Sequence, residues 1–274
     1  MHEQETLDLR NMDIHPNFFL KKKIILFLII FAIGIALRFY NLNFEDFWYD
    51  EIASFWVADP NLSSVETALR SKNLDNGTNI IFSLILKKYF NFFGYNSNIA
   101  RILTVIFGTL SILSLSYLNY QTKKNNSFIL LVFLASINWY LISYSQELRA
   151  YSLLFLLSTL SIIFYFKIIF NNSSLKISII NHLLYISISI FAASIHIFFF
   201  IIVFSQIIFL LISYSEHKTR NLVNLISTFL IPIIYIMIMF DSLLLQLSIK
   251  DFWIQRIKIG FFADFFFSRF FGSK

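Results

Sequence analysis

The stretch LLYISISIFAASIHIFFFIIVFSQIIFLLISY, residues Leu183–Tyr214, decides the fold of this chain. It contains no Asp, Glu, Lys or Arg. A single helix covering it would be roughly 48 Å long, whereas the hydrocarbon core of a bilayer is about 30 Å thick. We therefore interpret it as two membrane segments that turn near His196, although no Gly or Pro marks the turn.

The rest of the chain has the same character. Of its 274 residues 57% are hydrophobic and only 14% are charged, more apolar surface than a soluble domain of this length can bury. Five more apolar segments are separated by short polar breaks, at residues 24–40, 99–120, 128–144, 151–170 and 222–240. The prediction is an all-α polytopic membrane protein with about seven transmembrane helices.

The distribution of Lys and Arg predicts how these segments are oriented in the membrane. Lys and Arg concentrate in loops held on the cytosolic side of a membrane. With the N-terminus in the cytosol and a hairpin at Leu183–Tyr214, that side receives the basic clusters Lys21–Lys23, Lys123-Lys124, Lys176 and Lys218/Arg220. Topology therefore accounts for the net charge of +6, and we expect membrane lipids but no nucleic acid as partners.

The predicted topology divides the chain into three parts. Residues 1–23 form a cytosolic tail before a signal anchor, since no small-residue cleavage site follows the first apolar run. Residues 24–240 form the transmembrane domain, with an outer loop at 41–98. Residues 241–274 are expected to begin a further outer loop that is cut short. The absence of Cys excludes disulfides and thiolate metal sites.

The outer loop 41–98 is expected to carry short juxtamembrane helices. Asp50–Ala58 is predicted to form one helix and Ser63–Lys72 an amphipathic second. Asn79–Phe93 is apolar but is interrupted by Lys87-Lys88, so it is too short to span. We interpret it as a helix lying in the interface, with its apolar face in lipid and its lysines near headgroups.

The loop begins with the motif Trp48–Glu51, which places two acids beside the first membrane segment. Neighbouring residues on a helix point about 100° apart, so Asp50 and Glu51 cannot serve one site equally. Asp50 could simply cap the following helix. Acids at membrane depth are costly and usually functional, which favours a role in a site.

A second charged motif, Gln146–Arg149, occupies the outer turn between two apolar segments. Glu147 could complete an acidic site with Asp50, and the planar guanidinium of Arg149 suits a phosphate. Solvated or snorkelling side chains are the alternative. Arg38 and Arg101 could be snorkelling anchors or ligands, and Lys87 and Lys88 could contact lipid headgroups or bind a ligand. His196 could be a structural residue or part of a site.

The order of these motifs resembles a known family. Leu37–Leu42 is followed by Trp48–Ala53, then Phe93–Tyr95, Ala100–Leu103 and Tyr144–Leu153. This order is similar to that of the GT-C glycosyltransferases, in the group that includes protein O-mannosyltransferases and bacterial lipid A aminoarabinose transferases. The resemblance covers about residues 24–215.

The resemblance implies a function. Such enzymes transfer a sugar from a polyprenyl-phosphate donor to a glycan, lipid or protein acceptor at the outer face of the bacterial inner membrane, with inversion. By this likeness Asp50 activates the acceptor, with Glu51 beside it, and Glu147 is the second-loop acid. A divalent metal, Mg²⁺ or Mn²⁺, held by Asp50 and Glu147 is an open alternative. The donor phosphate is expected at Arg149, with Arg101, Lys87 and Lys88 as further candidates, and His196 as a further site residue.

Two departures leave other interpretations open. Asp75–Asn79 stands where family members commonly have a Pro-Pro-Leu-Tyr-like element, and the chain ends soon after its seventh segment. A catalytically inactive membrane scaffold of the same descent is therefore the alternative function. A transporter ranks last, because its acids should follow a path through the bilayer midplane, whereas these cluster at one face.

Overall fold

The computed structural model describes residues 16–75, 79–123, 127–170, 175–213, 218–248 and 260. These residues form α-helices and no β-strand. The helices are α1 (Pro16–Phe39), α2 (Tyr49–Val57), α3 (Ser64–Asp75), α4 (Ile80–Phe93), α5 (Ser97–Ala100), α6 (Ile102–Lys123), α7 (Ser127–Ile137), α8 (Trp139–Gln146), α9 (Tyr151–Phe170), α10 (Leu175–Ile195), α11 (Phe199–Ile212) and α12 (Lys218–Ser248).

Several of these helices are long and apolar enough to cross a membrane. Within the described residues there are four such spans, Ser97–Asn119, Tyr151–Phe170, Lys176–Ile195 and Leu222–Leu244. The pair α7 and α8, bent by 54°, makes a fifth if it is one span. Outward-facing side chains such as Ile201 and Met237 are more than 60% exposed, which suits lipid and not water. The chain is an all-α protein with the features of a membrane protein.

The long apolar stretch is broken at His196–Phe198, where the sequence predicts a turn. The turn forms without Gly or Pro. Backbone hydrogen bonds stabilise it, including one from the N–H of Phe199 to the backbone oxygen of His196 at 3.1 Å. The two helices run antiparallel, because the Tyr185 hydroxyl on α10 donates to Gln206 Oε1 on α11 at 2.7 Å. Helix α10 begins at Leu175, earlier than the apolar run suggests.

The segment predicted at 128–144 is two helices and not one. Asn138 interrupts it, and its side-chain oxygen accepts a hydrogen bond from the N–H of Leu141 at 3.0 Å, which caps α8. With this bend, α7 packs against both α1 and α6, and α8 packs mainly against α6. Small residues allow these approaches, since a Cβ at Gly34 would lie 2.7 Å from Ser136 Oγ.

Residues 41–98, predicted as an outer loop, contain the three expected helices α2, α3 and α4, but α4 lies differently from the prediction. Its apolar face is buried in the main core, with Phe82, Leu86 and Phe90 at most 2% exposed. The Lys87 ammonium donates to the backbone oxygen of Pro60 at 3.0 Å. Helix α4 therefore packs on protein through the face that was expected to lie in lipid, because α3 and α10 cover it.

Candidate functional site

Glu51 connects three separate parts of the chain. It lies in the first turn of α2, is fully buried, and accepts from the N–H of Trp48 at 3.3 Å. Its carboxylate also accepts from Arg101 Nε at 2.8 Å and from Arg101 Nη2 at 2.6 Å. A further bond comes from the N–H of Leu148 at 2.7 Å. Glu51 thus fixes α2 to the start of α6 and to the turn between α8 and α9.

Arg101 uses its whole guanidinium in this arrangement. Besides its bonds to Glu51, it donates to the backbone oxygens of Leu42 at 2.8 Å, Glu45 at 2.9 Å and Asp46 at 3.4 Å. A guanidinium has five N–H donors, so none is left for a phosphate. This geometry gives no support to the predicted catalytic role of Glu51 or to the predicted phosphate binding by Arg101. In the structure the two residues form a structural ion pair.

Asp50 faces the other way and meets Arg149. Arg149 Nη2 lies 3.7 Å from Asp50 Oδ2, and Nη1 donates to the backbone oxygen of Asp50 at 3.4 Å and to Ser54 Oγ at 3.5 Å. The Asp50 side chain is 38% exposed and that of Arg149 is 13% exposed. The structure therefore brings together two predicted site residues from α2 and the α8–α9 turn, and it leaves the carboxylate accessible.

Glu147 lies in the same turn. It ends α8, is half-buried, and its backbone oxygen accepts from the N–H of Arg149 at 2.8 Å. The metal alternative needed several ligands around Asp50 and Glu147. Among the residues described by the structure, no group of three or more His, Asp or Glu side chains could hold a metal ion. The metal alternative therefore gains no support from this geometry, and no step below uses a metal.

His196 occupies the break between α10 and α11. Its Nδ1 accepts from the N–H of Phe198 at 3.2 Å, so the neutral ring carries its proton on Nε2. Burial, and then the nearby positive charge of Arg149, lower the pKa of His196. The ring also lies 6.0 Å from that of Tyr151. His196 therefore lies near Arg149, in surroundings that disfavour the protonated ring.

The two predicted lysines lie apart from this pair. Lys87 is buried against Pro60, whereas Lys88 is exposed on α4. None of the contacts described joins either lysine to Asp50 or Arg149. Their predicted binding of a donor phosphate stays a prediction without support from the geometry.

A cavity of about 560 Å³ lies beside the site. It is enclosed by α1, α6, α8, α9 and the break after α10, and hydrocarbon side chains such as Ile112 and Phe155 form most of its wall. Tyr151 and His196 line it, and the charge of Arg149 acts on His196, although Asp50 and Arg149 do not themselves line the cavity. The sequence did not reveal this cavity, because its lining residues are scattered from Arg38 to Ile202.

Gln146 is a further residue whose role sequence reasoning missed. Its side-chain amide donates toward the backbone oxygens of Leu37 at 3.3 Å, Arg38 at 3.2 Å and Tyr40 at 2.8 Å. The last carbonyls of a helix lack partners within it, so Gln146 satisfies the end of α1. The signal for it was its place in the Gln146–Arg149 turn. Gln146 holds that turn against the C-terminal end of α1.

Comparisons with protein-family models, with curated proteins and with solved structures gave no match. The function of the chain must therefore be inferred from its residues and their arrangement.

Proposed function

We propose that this chain is a membrane glycosyltransferase of the GT-C type. It transfers a sugar from a polyprenyl-phosphate donor to an acceptor hydroxyl at the outer face of the membrane. The observation that carries the proposal is the Asp50–Arg149 pair, in which an accessible carboxylate faces a cation 3.7 Å away. A largely apolar cavity lined by His196, a residue that senses the charge of Arg149, lies near this pair. The order of motifs that resembles the GT-C group agrees with it.

The proposed topology follows from the same assignment. Seven spans place the N-terminus in the cytosol, and α2, the α8–α9 turn and the α10–α11 break on the outer side. Asp50, Arg149 and His196 come from those three outer elements, so their proximity supports the arrangement. The membrane is the plasma membrane of a bacterium, with the active side periplasmic or extracellular.

The donor suits the cavity in chemistry. An isoprenoid chain is apolar and matches a wall whose surface is mostly apolar, with Leu, Ile, Phe and Tyr side chains. Its phosphate is anionic and polar, so it belongs on the side of the cavity near His196 and Arg149. Arg149, with a permanently charged planar fork of donors, is placed there to bind phosphate oxygens.

The reaction uses Asp50 as the general base. As the acceptor oxygen forms a bond to the anomeric carbon, Asp50 takes the hydroxyl proton. The bond between that carbon and the phosphate oxygen breaks, and its electron pair leaves with polyprenyl phosphate. Arg149 stabilises the added negative charge on the leaving group. Direct displacement inverts the anomeric carbon, and the exposed edge of Asp50 returns the proton to solvent.

Transfer in proteoliposomes tests the proposal. The purified chain is supplied with polyprenyl-phosphate hexoses or pentoses carrying a radiolabelled sugar, and label is followed into lipid, glycan and protein fractions. Asp50→Asn should lower the rate about 100-fold or more, the usual scale for a lost general base. Asp46→Asn, which alters an exposed carboxylate shortly before α2, is the matched control and should keep the wild-type rate.

Two results would count against the proposal. Transfer by Asp50→Asn at the wild-type rate would remove the mechanism. If the folded wild-type protein transferred no sugar from any donor, the inactive-scaffold alternative would take its place.

A further inference from the structure

One side of α2 is apolar and exposed, and the proposed mechanism does not use it. Tyr49, Ile52 and Trp56 follow each other at i, i+3 and i+7, so they share one side of the helix. They are 79%, 54% and 47% exposed, and we call them the aromatic face of α2. The rest of the helix is occupied, since Glu51 lies in the core and Asp50 meets the turn between α8 and α9. Large apolar side chains that stay exposed together mark a surface with a partner.

Helix α3 lies next to this face. The Arg70 guanidinium lies 4.1 Å from the centre of the Trp56 ring and donates to the backbone oxygen of Trp56 at 3.3 Å. On the same helix Val65 and Leu69, one turn apart, are also exposed. The exposed apolar surface therefore extends over two short helices that are joined by a cation and an aromatic ring.

Two arginine contacts fix the level at which α2 lies. Glu51, in its first turn, binds Arg101, which is near the start of the span that includes α6. Ser54 Oγ, one turn later, accepts from Arg149 Nη1 at 3.5 Å, and Arg149 lies two residues before the span formed by α9. Successive turns of α2 thus lie at the level where a span begins. The helix runs along the membrane boundary and not away from it.

The length of α2 agrees with this position. Its nine residues make a helix of about 14 Å, too short to cross a hydrocarbon core of about 30 Å. Its aromatic face therefore cannot be the lipid-facing side of a span, and it must be explained at the boundary itself.

The residue types identify the partner. Trp and Tyr have an apolar ring with a polar edge, and they concentrate where lipid headgroups meet the hydrocarbon. Between α1 and α2, Tyr40 and Phe44 are also exposed. Exposed aromatic side chains thus continue from the end of the apolar helix α1 to the aromatic face of α2. This continuity favours lipid over a protein partner, which Trp and Tyr would also suit.

We propose that α2 is an interfacial helix whose aromatic face inserts into the membrane where headgroups meet acyl chains. It has the position that the sequence predicted for α4. Lipid holds α2 from one side and the Glu51–Arg101 pair holds it from the other, which keeps the Asp50 carboxylate at headgroup depth. The proposed topology makes this the outer leaflet, but the contact itself does not depend on sugar transfer.

Nitroxide labels measure the depth directly. The chain has no Cys, so Tyr49→Cys and Ile52→Cys each give one label on an exposed position. The full chain is reconstituted in liposomes of phosphatidylethanolamine and phosphatidylglycerol. Collisions with oxygen, which concentrates in hydrocarbon, are compared with collisions with a water-soluble nickel chelate. Both labels should lie about 5–10 Å inside the membrane boundary.

Two further labels calibrate the measurement. Ile233→Cys marks the hydrocarbon, because Ile233 is exposed near the middle of the span Leu222–Leu244. Its label should be deeper than those on α2. Asn61→Cys is the matched control, because Asn61 is exposed in the turn between α2 and α3. Its label should collide with the nickel chelate as a residue in water does.

Labels at Tyr49 and Ile52 that meet the nickel chelate as often as the label at Asn61 would overturn the proposal, because the aromatic face would lie in water. Labels shielded from both reagents would overturn it in favour of a protein partner, and dipolar broadening between labels would identify a second copy of the chain. Asp50→Asn should leave both depths unchanged. A chain that transfers no sugar would therefore refute the proposed function and leave this contact standing.

Discussion

Glu51 and Arg101 form a buried two-pronged ion pair, with N–O distances of 2.8 and 2.6 Å, that joins α2 to the start of α6. The neighbouring Asp50 meets Arg149 on the other face of the same helix turn. One acid therefore supports the scaffold while the next remains open to solvent. The first pair sets where α2 lies, and so sets where Asp50 points.

Removing one member of the buried pair should destabilise the protein strongly. Glu51→Gln leaves Arg101 without its counter-charge in a buried site, which typically costs about 3–5 kcal/mol. Thermal unfolding of the purified protein in detergent measures the loss. Glu45→Gln is the control, because the Glu45 side chain is exposed, and it should unfold at the wild-type temperature. Equal melting temperatures of Glu51→Gln and wild type would show that the ion pair contributes nothing to stability.

A side chain at position 108 should destabilise the protein as long as Ser145 is present on the facing helix. In Gly108→Ala the new Cβ would lie 2.7 Å from Ser145 Cβ, and overpacking of this kind costs about 1–3 kcal/mol. Ser145→Gly should restore most of that stability in the double variant, although the single change loses the hydrogen bond to Leu141. A double-mutant cycle of thermal unfolding measures the coupling. Additive effects of the two changes would show that the two helices do not touch there.

His196 should make stability depend on pH. Burial and the charge of Arg149 lower its pKa from 6.5, so the folded protein binds fewer protons than the unfolded chain just below that pH. Its contribution is complete above about pH 6.5 and is lost as the pH falls. The melting temperature of wild type should therefore drop more between pH 7.5 and 5.5 than that of His196→Gln. Parallel curves for the two proteins would contradict the assignment.

The absence of Cys makes the topology directly measurable. Single cysteines are placed at three exposed sites, Asn61, Ile197 and Lys22. A membrane-impermeant maleimide should label the first two in intact spheroplasts, and the third only after permeabilisation. Helix α11 has 14 residues, fewer than the roughly 20 that usually span, so Ile197 is the informative position. Its protection would show that α10 and α11 do not form a transmembrane hairpin.

Local features of the chain predicted much of the helical arrangement. The break near His196 follows from the length of the apolar run against the bilayer, a comparison that needs no tertiary information. Helices α2 and α9 lie close to their expected bounds, because turn residues and apolar runs act over short distances. The bend at Asn138 and the burial of α4 were not foreseen, because they depend on which helices pack alongside.

The amino-acid sequence by itself determined an all-α, lipid-compatible chain whose acids and arginines cluster in the turns at one end of its apolar segments. Only the tertiary structure decided how those charges pair. Asp50 and Glu51 are adjacent, so their surroundings differ only through the direction each takes from the helix. Packing buries the Glu51 side chain against Arg101, whereas it leaves the Asp50 side chain partly exposed beside Arg149. It also enclosed Arg38 against a cavity, because residues from α1, α6 and α9 meet there only in the folded chain.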